Sequence, residues 1–266
     1  MITYPSAKIN IGLNVIEKRI DGYHNIESIF YPIPLVDILE INRAEQFSFS
    51  TSGLAIPGNS ENNLVIKAFK LMQERHGISN VKIHLHKQIP MGAGLGGGSS
   101  DAAFALSSLN TLFKLQLSTH ELEKYAIILG SDCPFFIENT PKYVTGTGQE
   151  LKKIELNLNG YYLYLINPKI HIGTKEAYSG IEPKKSKEDL TVDIKQNPNK
   201  WKLSIKNDFE TSVFPAHPNL NQIKRNLYSQ GAIYSSMSGS GSTLYGIFKS
   251  KPTLVGEYDY EKIILL

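Results

Sequence analysis

The chain has 266 residues, with hydrophobic residues at 41% and charged residues at 20%, the profile of a soluble globular protein with room for one large domain or two of ordinary size. Its formal net charge is +3, from 28 Lys and Arg against 25 Asp and Glu. That balance excludes the basic excess of a nucleic-acid binder, yet suits an acidic metabolite held by a few cations inside a cleft.

A single cysteine, Cys133, excludes an intrachain disulfide and points to a reducing compartment. The opening MITYPSAKINIGLNV lacks a basic segment followed by an apolar block, and no apolar run approaches the roughly 18 residues of a membrane span. A cytoplasmic protein without a membrane or nucleic-acid partner is expected, as a monomer or weak homodimer.

In chain order, residues 7–15 alternate strictly. Ala7, Ile9, Ile11, Leu13 and Val15 share one face and Lys8, Asn10, Gly12 and Asn14 the other, the period-two pattern of a strand with one buried side. Further strands are expected at 38–42, 46–50 and 81–89. Residues 63–76 read as a helix, with Leu64, Ala68, Leu71 and Met72 in one stripe and Gly77 as its stop. Ser99 or Ser100 is an N-cap candidate for a second helix, in which Ala102, Ala103, Leu106, Leu109 and Phe113 recur at helical spacing. Ser118 opens a third, to residue 129. Beyond residue 152 an aromatic strand is expected at 160–167 and a strand pair at 232–236 and 243–248. Between them the polar stretch 183–200 reads as a surface loop or mobile helix. Strands and helices mix without a βαβ rhythm, so the fold class is α+β rather than a doubly wound parallel sheet.

The segment PMGAGLGGGSSDAA sets Gly92, Gly94, Gly96, Gly97 and Gly98 between a strand and a helix. Glycines let backbone N–H groups close on a ligand, and the helix adds unpaired N–H groups and its positive dipole end, so the pattern predicts a phosphate site. No lysine precedes Ser99, which excludes the Walker loop. Gly92, Gly94 and Gly97 match a dinucleotide fingerprint, but the acidic residue that fold needs is missing from the helix and loop that follow. A flexible surface loop would not run straight into an amphipathic helix.

The same segment resembles the P-x-x-x-G-L-x-S-S-A loop of the GHMP kinases. SAKINIGLNV, RIDGYHNI, LGSDCPFF and MSGSGST fit the family in order and span nearly the whole chain. The resemblance implies a two-domain architecture, with a ribosomal protein S5 domain 2-like ATP-binding domain over 1–152 and a ferredoxin-like, substrate-side domain over 153–266. It implies phosphoryl transfer from ATP, with Mg²⁺, to an alcohol, and the extended GLGGGSSDAA resembles the branch whose acceptor is linked to cytidine diphosphate.

Carried over by motif, Asp132 acts on the acceptor hydroxyl and Lys8 is its partner. Pro90, Met91, Gly92, Ala93, Gly94, Leu95, Gly96, Gly97, Gly98, Ser99 and Ser100 hold the nucleotide phosphates. Asn63 lies on the adenine side; Asn10, Tyr23, His24, Thr174, Tyr178, Gly239, Ser240 and Gly241 meet the substrate, with Tyr23 and His24 as a clamp for cytosine. Metal ligands stay open: Ser100 is a candidate, and Asp101 either contributes or only favours the helix N-terminus.

The residues alone leave other readings in place. Asp132 could be a turn aspartate, Lys8 a solvated strand lysine, Asn62 or Asn63 an N-cap, Tyr23 a buried ring and MSGSGST a glycine turn. Lys87 falls on the apolar parity of its strand and needs an anion, which a nucleotide supplies unless the strand end lifts clear of the core. His84 and His86 share the polar face, where a solvated strand outweighs metal binding. Cys133 reads as a packing residue. Rival functions are another GHMP kinase of homoserine or mevalonate type, whose acceptors offer no base to an aromatic clamp, and a non-catalytic nucleotide-binding protein.

Overall fold

The computed structural model describes residues 1–184 and 189–266, and these form two compact units. The first comprises Met1–Ala7, Leu35–Met91 and Gly96–Thr140; the second comprises Lys8–Pro34, Gly92–Leu95 and Pro141–Leu266. The units interleave along the chain and do not follow a cut after residue 152. Leu13, Val15 and Ile26 are buried in one cluster with Tyr164, Phe209 and Leu244, and that burial draws 8–34 into the second unit.

In the first unit a four-stranded sheet runs in the order Ile2–Thr3, Ile38–Arg43, Val81–Lys87, Ser48–Gly53. Ile38–Arg43 is antiparallel to Val81–Lys87, and Ser48–Gly53 is parallel to it. Val81, Ile83 and Leu85 point to the core with the helices Leu64–His76, Gly97–Phe113 and Thr119–Leu129. Asn63 caps the first of these, its Oδ1 accepting the Val65 N–H at 2.9 Å, and Gly77 ends it at φ 62°. Its buried stripe is Val65, Ile66, Ala68, Phe69 and Met72, shifted from the expected one, so Leu64 and Leu71 are only half-buried. Ser118 opens the third helix in a reciprocal capping box with Glu121.

The second unit holds two four-stranded sheets. One runs Ser6–Lys18, His24–Val36, Lys142–Thr145, Glu150–Lys153; the other, all antiparallel, runs Tyr234–Met237, Leu244–Phe248, Tyr162–Asn167, Tyr260–Leu265. The α+β reading and the aromatic and hairpin strands hold. The expectation of one buried side for residues 7–15 does not: Lys8 and Asn10 are buried too, in a hydrogen-bonded polar interior that replaces water. His24–Val36 was not among the expected strands, and it runs through Pro32 and Pro34. Of the polar stretch, residues 185–188 lie outside the described residues, while Leu190–Asp193 and Pro198–Ser204 are short helices. Among the described residues no helix is long and apolar enough to cross a membrane.

Candidate functional site

The glycine loop leads into a helix that starts at Gly97, not at Ser99 or Ser100. Gly96 is its N-cap, at φ 70° and with no side-chain hydrogen bond, and the first intrahelical bond is Ser100 N–H to Gly96 O at 2.9 Å. A serine cap would have spent its hydroxyl on one of the free N–H groups of 96–99; glycine leaves them, with the dipole's positive end, to an anion. Two glycines here are demanded by the fold. Gly94, at φ 76°, would bring a Cβ within 1.9 Å of Ser238 O, and a Cβ on Gly97 would lie 2.8 Å from Ile89 Cγ2. Gly98 differs, since a Cβ there meets nothing within 4 Å, and it lines a pocket of about 140 Å³ with Asn63, Met91 and Asp101. Asn63 therefore caps a helix and faces the pocket at once.

Beneath this loop lies a buried charge cluster. Lys87 Nζ is paired with Asp37 Oδ2 and, at 2.7 Å, with Asp101 Oδ2. Asp37 Oδ1 accepts the N–H groups of Gln88 at 2.6 Å and Ile89 at 2.9 Å. The anion that Lys87 needs is thus inside the protein, and the strand end does not lift clear: Lys87 is 1% exposed. The nucleotide-contact reading gives way to an internal ion cluster. Burial raises the Asp101 carboxyl to about 7, the neighbouring Asp37 charge adds to the rise, and Lys87 opposes it. Asp101 Oδ2 is committed to Lys87, while Asp101 Oδ1 and Ser100 Oγ are both buried with no hydrogen-bond partner. Among the described residues no three His, Cys, Asp or Glu are grouped to hold a metal. His84 and His86 bond instead to Ser50 and Ser52, each at 2.9 Å.

Asp132 stands half-buried in the first unit, in the turn before the short helix Phe135–Glu138. Cys133 beside it is fully buried, and burial pushes its thiol up to about 12.

In the second unit, Lys8 Nζ donates to Asn10 Oδ1 at 2.5 Å and sits 4.3 Å from the Phe30 ring centroid, while Asn10 Nδ2 donates to Ser28 Oγ at 2.9 Å. The Lys8 N–H donates to Leu95 O at 2.9 Å, tying this strand to the loop segment Gly92–Leu95. Ser238 Oγ donates to Gly94 O at 2.8 Å, so the MSGSGST turn with Gly239, Ser240 and Gly241 touches the same segment.

Tyr23 and His24, the pair expected to hold a base, lie in different surroundings. His24 stacks on Tyr178, centroids 4.4 Å apart and planes at 16°, and Tyr178 meets Phe209 edge-on at 4.8 Å. Tyr23 is 66% exposed rather than buried. Burial, then the Lys18 charge, holds the His24 imidazole below its usual value; a neutral ring offers one donor and one acceptor to a ligand's edge. Thr174 is exposed at the start of the helix Thr174–Ser179. A larger cavity of about 700 Å³ is lined by Lys202, Ile205, Phe214 and Lys224 among others and by none of the sequence-predicted residues.

Sequence reasoning missed Asp37, Ser28, Ser238 and the segment 207–210. Asp37 carried a signal: it interrupts the apolar run YPIPLVDILEI, where an acid implies a buried partner.

Two family descriptions match the chain, GHMP kinases N terminal domain over residues 63–139 and GHMP kinases C terminal over 194–255. The chain belongs to the GHMP kinase family, whose members are small-molecule kinases. A Bacteroides thetaiotaomicron protein named 4-diphosphocytidyl-2-C-methyl-D-erythritol kinase is 50% identical over 258 residues, 96% of this chain and 94% of that one. A Cytophaga hutchinsonii protein of the same name is 51% identical over 253 residues, 95% and 94% of the two chains. A crystal structure of 4-(cytidine 5'-diphospho)-2C-methyl-D-erythritol kinase superposes with a TM-score of 0.81 at 31% identity, covering 93% of this chain and 90% of that one.

Proposed function

We propose that this protein transfers the γ-phosphoryl group of ATP to the 2-hydroxyl of 4-diphosphocytidyl-2-C-methyl-D-erythritol, a step of non-mevalonate isoprenoid precursor synthesis. The observation that carries the kinase chemistry is the glycine loop running into an uncapped helix, where backbone N–H groups await a phosphate chain. The acceptor follows from relatives of that name at about half identity over nearly the full chain. The His24–Tyr178 stack supports it, as an aromatic face beside a neutral imidazole suits a flat base.

Asp132 takes the proton of the acceptor hydroxyl as that oxygen bonds to the γ-phosphorus and the bond to the β-phosphate oxygen breaks, releasing ADP. Lys8 orients that hydroxyl. Both roles rest on the motif positions of the two residues. Ser100 Oγ and Asp101 Oδ1, both buried without a hydrogen-bond partner, would be the side-chain oxygens to hold Mg²⁺. Mg²⁺, when bound, supplies charge neutralisation on the phosphates.

ADP release measured against a panel of the cytidylated alcohol, homoserine and mevalonate tests the assignment. Activity confined to the first is expected, with turnover in Asp132→Asn down by about 100-fold or more and its circular dichroism unchanged. Activity with homoserine or mevalonate alone would overturn the substrate, and near-normal turnover in a folded Asp132→Asn protein would remove Asp132 from the mechanism.

A further inference from the structure

The MSGSGST turn is gripped from behind by one buried segment. Asn207 is 1% exposed. Its Nδ2 donates to Met237 O and to Gly239 O, each at 2.8 Å, and its Oδ1 accepts the Phe209 N–H at 3.0 Å. The reverse amide orientation would set an oxygen against two carbonyls and an NH₂ against an N–H, so the network admits one orientation. Three residues on, Glu210 Oε1 accepts the Met237 N–H at 2.8 Å and the Ser236 hydroxyl at 3.1 Å, while Oε2 pairs with Lys224 Nζ at 2.5 Å.

The same segment is bonded to the strand that carries Lys8 and Asn10. Leu13 N–H donates to Lys206 O, Asp208 N–H to Leu13 O and Val15 N–H to Asp208 Oδ2, each at 2.8 Å. The turn needs such support. Gly239 and Gly241 sit at φ 55° and 96°, and glycines explore many conformations unless held.

We infer that Asn207 is a positioning residue, with Glu210 as its second anchor, which fixes the turn so that the backbone N–H groups of Gly239 and Ser240 receive the acceptor's diphosphate, the Gly241 N–H being held by Ser238 O at 3.0 Å. The inference rests on the proposed function, in which this turn meets the substrate phosphates. Holding those donors in place before binding removes the ordering cost from the encounter. The contacts act on the acceptor side, so their loss separates the two substrates kinetically.

Steady-state kinetics of Asn207→Asp, Glu210→Gln and Glu210→Ala, with melting curves, test this. Asn207→Asp removes both donors at constant size, and Glu210→Gln keeps an acceptor where Glu210→Ala does not. Asn207→Asp and Glu210→Ala should raise KM for the cytidylated alcohol about tenfold or more while KM for ATP stays within about twofold, and Glu210→Gln should retain most of the wild-type value. An unmoved acceptor KM in folded Asn207→Asp, an equal rise in both KM values, or failure of both Asn207→Asp and Glu210→Ala to fold would overturn the inference. Wild-type inactivity on the cytidylated alcohol would instead overturn the functional assignment, and the inference with it.

Discussion

Lys87→Met tests the buried cluster most directly. Methionine keeps most of the stem's length and apolar packing, so the change removes chiefly the charge. Asp37 and Asp101, 0% and 2% exposed, are then left facing each other without a cation. Removing one partner of a buried ion pair costs about 3–5 kcal/mol, on the order of 10 °C in melting temperature at this chain length.

The loss should depend on pH. A carboxyl whose folded pKa lies above its unfolded value binds more protons when folded, so its contribution is most favourable in acid and is lost as pH rises through the folded pKa. For Asp101 in the wild type that window runs from the ordinary carboxylate range to about 7. Without Lys87 the attraction that lowers it is gone, and the window extends upward. Urea denaturation at pH 5 and pH 8 should therefore show a larger deficit at pH 8, with far-UV circular dichroism intact at pH 5. A deficit equal at both pH values, or a variant of wild-type stability whose only change is a raised KM for ATP, would refute the internal-cluster account and restore Lys87 as a nucleotide contact.

Two further outcomes follow from the same geometry. Gly98→Ala should fold as well as the wild type, since a helical alanine gains up to about 1 kcal/mol over glycine and its Cβ meets nothing within 4 Å; KM for ATP should rise because the methyl enters the pocket. Gly94→Ala should instead lower the melting temperature, its Cβ falling 1.9 Å from Ser238 O at a φ of 76°. Wild-type KM for ATP in Gly98→Ala would place the nucleotide elsewhere. Cys133, with its thiol pushed up to about 12, should resist a disulfide reagent at pH 8 in the native protein and react once denatured; rapid native labelling would contradict its burial.

The parts of the fold that were legible in the sequence are those whose signals are local. Asn63, Ser118 and Gly77 mark helix ends through their own side chains or lack of one, and the 81–89 parity exposed Lys87 as buried. What stayed hidden depends on partners distant in sequence. Asp37 and Asp101 are 50 and 14 positions from Lys87, so parity could say that an anion was needed but not that the protein held it. The reading of Ser99 or Ser100 as a cap failed for a related reason. Capping preference describes helices closed to ligands, and this one keeps its first N–H groups open. The stacking of His24 on Tyr178 joins residues far apart in the sequence, beyond any periodicity.

The interleaving of the two units bears on how the protein is made. Residues 8–34 leave the ribosome well before the residues that cover them, since Leu13, Val15 and Ile26 are buried against residues as late as Phe248. Chains ordinarily fold domain by domain as they emerge. Here the strand bearing Lys8 and Asn10 must wait, with its apolar side uncovered, until the segment ending at Phe248 has been made. A nascent chain of this enzyme therefore spends a long interval with these early strands uncovered and open to aggregation or chaperone capture.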